Sequence, residues 1–133
     1  MAADDWLYEY SIVRYVPRPE RGEFLNIGLV MMNKRRRWMK GMIVINEKKL
    51  LTLFPDIDLN SLLLQASLFE RDDAPQKELP VEEKYRWLTA EKSGCIRVSP
   101  SHPGIVINPE DKELTAEEIM NEEFERLLNL LVK

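Results

Sequence analysis

The chain has 133 residues, 44% of them apolar and 32% charged, with a formal net charge of −4. That length suits one domain with its own core, and no apolar run approaches the roughly 20 residues needed to span a bilayer. A single cysteine, Cys95, excludes an intrachain disulfide, and a single histidine, His102, argues against a structural zinc site.

The first residues, "MAADDWLYEY", are acidic and lack the basic and apolar regions of a signal peptide, so a cytoplasmic address is expected. Next comes "LYEYSIVRYV", Leu7 to Val16, rich in aromatic and β-branched residues and stopped by Pro17, which predicts a strand. Its faces alternate Tyr8, Tyr10, Ile12, Arg14 with Leu7, Glu9, Ser11, Val13, Tyr15. "FLNIGLVMM" is apolar on both faces, as in a central strand. "WMKGMIVI" follows across the basic tip "NKRRR" and completes a hairpin. Gly28 and Gly41 inside these strands point to a bulge or a close approach.

"NEKKLLTLF" predicts a short helix capped by Asn46 and ended before Pro55. "DLNSLLLQASLFERD" carries Leu59, Leu62, Leu63, Ala66 and Phe69 close to helical spacing. "DDAPQKELP" reads as a loop, and a third helix is expected from Val81 to Thr89 with Tyr85 and Leu88 inward. "CIRVS" and "GIVIN" predict two short strands separated by a turn in "PSHPG". Thr115 and Glu118 fit a capping box, with Leu114 and Ile119 as its staple; Met120, Phe124, Leu127, Leu128 and Leu131 then repeat on one helical face.

The order β-β-β-α-α-α-β-β-α lacks βαβ alternation. It predicts a single α+β domain over residues 1–133, with an antiparallel or mixed sheet of about five strands packed with helices. Charge is uneven along it. Residues 1–54 hold ten Lys/Arg and six Asp/Glu, a balance of +4; residues 55–133 hold nine and seventeen, a balance of −8. Such a split gives a basic face or a surface for an oppositely charged neighbour, or else solvated decoration.

No P-loop, dinucleotide-binding glycine fingerprint or metal-ligand spacing is present, so no cofactor and no metal is expected. Cys95 fits a small core residue, and His102, between Ser101 and Pro103, fits a solvated turn. "KRRRW" could grip phosphate or simply keep a sheet edge soluble, and the negative net charge argues against nucleic acid as a partner. The stretch "RYVPRPERGEFLNIG", Arg14 to Gly28, is denser in chemistry. Gly22 permits a tight turn before Glu23, Arg21 and Glu23 can point to one side, and Asn26 falls where a strand should be paired. These three form either an internal network that pins the turn or an anion-binding arginine oriented by a carboxylate.

The motif "YVPRPERGEFLNIG" resembles the YVP-x-P-x-RGE-x-x-NIG opening of a bacterial family, domain of unknown function 3037. "RWLTAEKSGCIRVSPSHPGI", Arg86 to Ile105, is similar to that family's RWLT-x-x-KS and SPVHPG segments. The chain departs from the family pattern at Cys95 and in "NKRRR". The family has no established activity; its members are said to occur beside genes for kinase-like proteins of the HipA type, which implies an accessory or partner role. Carried over by motif, the residues to watch are Arg21, Glu23 and Asn26, then Arg86, Trp87, Thr89, Lys92, Ser93, Ser99 and His102. The ligand-binding set expected from both motifs is Arg21, Glu23, Asn26, Arg86, Lys92, Ser93, Ser99 and His102, meeting in one polar cleft at an end of the sheet. Two functions fit: a non-catalytic binding or regulatory module with a kinase-like partner, or a small enzyme or binder for a phosphorylated or nucleotide-like, anionic ligand. In the second, Glu23 or His102 would be the base and Arg21 and Lys92 the anion holders. No reaction follows from the residues alone.

Overall fold

The computed structural model describes residues 5–69, 80–89, 95–111 and 113–133. Three strands come first: β1 (Leu7–Tyr15), β2 (Leu25–Asn33) and β3 (Trp38–Ile43). Helices α1 (Glu47–Leu53), α2 (Leu59–Phe69) and α3 (Val81–Leu88) follow, then β4 (Ile96–Val98), β5 (His102–Ile105) and α4 (Ala116–Leu131). All strand pairings are antiparallel; β3, β2 and β1 lie side by side, and β4 and β5 share the outer edge of β1. The expected α+β class and element order therefore hold.

The sheet is the middle of three layers. Val13, Tyr15, Val30 and Met32 face α1, α2 and α3, where Leu50, Leu62, Ala66, Tyr85 and Leu88 complete one core. Trp6, Tyr8, Leu29 and Met31 face α4, packing on Ile119, Met120, Phe124, Leu127 and Leu128. Burial on both faces is why β2 is apolar almost throughout rather than alternating.

Local signals at the helix starts act as their chemistry predicts. The Asn46 side chain accepts from the Lys49 N–H, and Thr115 and Glu118 form the reciprocal capping box. Asp58 accepts from the Ser61 N–H at 3.1 Å and its hydroxyl at 2.9 Å. Those hydrogen bonds hold the Asp58 carboxyl below its ordinary pKa.

Two irregularities in the sheet position its polar groups. The β1–β2 ladder shifts register between Val13 and Arg14: Val13 pairs with Gly28, whereas Arg14 pairs with Asn26, leaving Ile27 as the extra residue. At Gly28 a Cβ would lie 2.6 Å from the Met42 carbonyl oxygen, so the glycine allows a close strand approach; Gly41 meets nothing nearer than 3.6 Å and answers no such need. The second irregularity corrects an expectation. His102, Pro103 and Gly104 belong to strand β5, in register with Tyr10, Glu9 and Tyr8, rather than to a turn before a strand in "GIVIN". The segment from Ile96 to Ile105 is one edge strand interrupted at Ser99–Ser101. There the Ser99 hydroxyl accepts the Ile12 N–H at 2.8 Å, a bond that a strand carbonyl would otherwise receive. The edge position is what lets prolines stay in such a strand.

Candidate functional site

Pro17 ends β1, and Pro19–Arg21 then form a single 3-10 turn closed by Gly22 at φ +70°, a conformation that costs glycine little. This reversal places the Arg21 Nε 3.0 Å from Glu23 Oε1, with both side chains about half exposed (57% and 46%). The pair borders a cleft of about 520 Å³ between the β1–β2 connection and the α1–α2 connection. Tyr15, Pro17, Leu53, Phe54, Pro55 and Ile57 supply its apolar walls. Arg18, Arg21, Glu23, Asp56 and Asp58 supply its charges. Tyr15 and Phe54 meet edge to face at 5.3 Å, and burial holds the Tyr15 hydroxyl above its ordinary pKa, so it enters the cleft protonated.

The second motif is used differently. Arg86, on α3, reaches both Glu9 carboxylate oxygens through Nη2, at 3.0 and 2.9 Å. Ser101 donates to Glu9 at 3.0 Å and lies 2.8 Å from the Tyr85 hydroxyl, which also meets the buried Ser11 hydroxyl at 3.0 Å. The result is a continuous polar chain from the sheet interior to the surface. It braces α3 and the edge strand against β1, and every side chain in it has a partner. Burial raises the Tyr85 pKa, outweighing the two serine hydrogen bonds.

The remaining predicted site residues divide further. Asn26 donates through Nδ2 to the Leu131 carbonyl at 3.0 Å and so holds the end of α4 on the sheet. Ser99 is buried and donates to the Pro100 carbonyl at 3.0 Å while accepting from Ile12. His102 is exposed, its ring 5.3 Å from that of Tyr10. Lys92 and Ser93 lie outside the described residues, as does most of the expected loop "DDAPQKELP". Cys95, which borders them, accepts the Val16 N–H at its carbonyl and donates its thiol to Gln65 at 3.3 Å. Tyr10, the partner of His102, stands five residues before Tyr15, so His102 is separated from the end of β1 by about 17 Å at the rise of an extended strand. Among the described residues, Arg21 and Glu23 share one cleft, Arg86 belongs to the bracing network, and His102 stands apart from both.

Sequence reading missed Glu9, Ser11 and Ser101 as network members, although Glu9 and Ser11 interrupt an otherwise apolar face and so signalled buried partners. It also missed a second polar knot, in which the Tyr8 hydroxyl donates to Glu123, itself held by Arg126 at 3.0 and 2.8 Å. Gly104 makes room for it, since a Cβ there would overlap the Tyr8 ring. Burial first, and then the bond to Glu123, pushes the Tyr8 pKa well above its ordinary value. The basic hairpin tip is partly internal as well. Arg36 lies 3.7 Å over the Trp6 ring and donates to the Asp5 carbonyl at 3.1 Å, and Lys34 pairs with Glu82 at 2.9 Å.

A family profile described as "Protein of unknown function (DUF3037)" matches residues 10–132. The chain belongs to this family. Neither the curated proteins nor the solved structures supply a match. The DUF3037 match runs from the middle of β1 to the end of α4, so it takes in the cleft and all of the bracing network but Glu9. No helix among the described residues is long and apolar enough to cross a membrane.

Proposed function

We propose that this DUF3037 member is a non-catalytic binding module that holds a segment of a partner protein in the cleft beside Arg21 and Glu23. The composition of that cleft carries the reading: apolar walls from Tyr15, Leu53, Phe54 and Ile57 lie under a rim of both charge signs. An extended polypeptide offers apolar side chains and charges together, and so complements such a site. A phosphorylated small molecule would be met by Glu23, Asp56 and Asp58 as well as by the two arginines. The alternative of a small enzyme has less support. Glu23 is already engaged by Arg21, and His102 is paired to Tyr10, far from the cleft.

The kinase-like proteins said to be encoded beside family members are the partners to test. Co-purification with such a neighbour, followed by titration calorimetry, should give a complex at micromolar concentration. Arg21→Glu should weaken it tenfold or more, roughly the cost of placing like charges in an interface. Absence of a complex at that concentration would count against a partner role.

A further inference from the structure

The cleft beside Arg21 contains one group that its own walls do not satisfy. Tyr15 is only 5% exposed. It is fixed by its cross-strand partners Leu25 and Ile96 and by the edge contact with Phe54, and it lines the cleft. Its hydroxyl forms no hydrogen bond with any described residue. Leaving a buried hydroxyl without a partner costs free energy, so an acceptor brought into the cleft gains a waiting donor. Asp58 lies close enough to act on that hydroxyl through its charge, which disfavours an anion as the acceptor. A neutral carbonyl meets the need without repulsion.

The charges are sorted by wall. The β1–β2 connection brings Arg18, Arg21 and Glu23, and the α1–α2 connection brings Asp56 and Asp58. Arg21 is engaged by Glu23, and Asp58 by Ser61. Arg18 and Asp56 have no ion-pair partner among the described residues. Three carboxylates against two guanidinium groups leave one negative charge in excess.

Resting on the reading of the cleft as a polypeptide site, we propose that its occupant is a proline-rich segment in the polyproline II conformation that carries a basic residue. Such a segment makes no hydrogen bonds of its own, so its carbonyls are free to accept from the Tyr15 hydroxyl and from Arg18. Its prolines bring no N–H for the apolar walls to leave unsatisfied. Their rings pack against the surface formed by Phe54, Pro17 and Pro55, the mode by which aromatic-lined grooves take prolines. The basic side chain reaches Asp56 on the acidic wall.

The test is fluorescence polarisation of labelled synthetic peptides with the full chain. The probes are three repeats of Arg-Pro-Leu-Pro, the same peptide with Glu for Arg, and the same peptide with Ala for Pro. The first should bind saturably, and each of the others about tenfold more weakly. Tyr15→Phe keeps the ring against Phe54 and removes only the hydroxyl; it should weaken the first peptide about fivefold. Asp56→Asn should narrow the gap between the Arg and Glu peptides. No saturable binding of the first peptide, equal affinities for all three, or affinities that ignore both substitutions would overturn the proposal. If the peptides fail while a complex with the kinase-like neighbour forms and is weakened by Arg21→Glu, the proline-rich segment is rejected and the cleft reading stands.

Discussion

The polar chain through Tyr85 and the Arg21 cleft are built from similar residues but end in opposite states. In the first, Ser11, Tyr85, Ser101, Glu9 and Arg86 satisfy one another from the core outward. In the second, Arg21 and Glu23 satisfy each other at the surface and leave a cleft beside them. Family motifs run through both. The difference teaches that the polar residues of the two motifs serve separate ends. Some hold α3 and the edge strand in place, and others border an open cleft.

Substitution can sharpen that division. Tyr85→Phe should have the largest effect, because it strips the buried Ser11 hydroxyl of its partner; a loss of about 1–3 kcal/mol is expected in chemical denaturation. Binding through the cleft should be unchanged, and a drop in partner affinity as large as that in Arg21→Glu would erase the distinction. The next effect belongs to pH. Tyr8 holds its proton more tightly when folded than when unfolded. Its stabilising contribution is therefore complete below pH 10, the ordinary tyrosine value, and declines as pH rises above it. Denaturation midpoints for Tyr8→Phe should fall less steeply across that alkaline range than those of the parent. Arg21→Gln should be the mildest change, since exposed ion pairs contribute under about 1 kcal/mol. A larger loss of stability would make Arg21 part of the scaffold.

Much of the architecture is legible in the sequence because its causes are local. The double-sided β2, the Asn46 cap and the Thr115–Glu118 box each follow from residues a few positions apart. Arg21, Gly22 and Glu23 are likewise readable as a turn with a facing pair. The features that stay hidden depend on long-range partners. Glu123 is 115 residues from Tyr8, and Arg86 is 77 from Glu9, so no spacing rule connects them. The prolines around His102 point to a turn, and only pairing with β1 makes that segment a strand. Asn26 does need the partner its position implies, but its pairing with Arg14 is set by a one-residue register shift that no composition reveals.

The interruption at Ser99–Ser101 has a consequence beyond local geometry. Pro100 divides the strand and Pro103 lies within β5, so that edge offers no unbroken series of N–H donors. A stray strand from another molecule therefore finds no template there, and the margin formed by β4 and β5 is protected against amyloid-like growth.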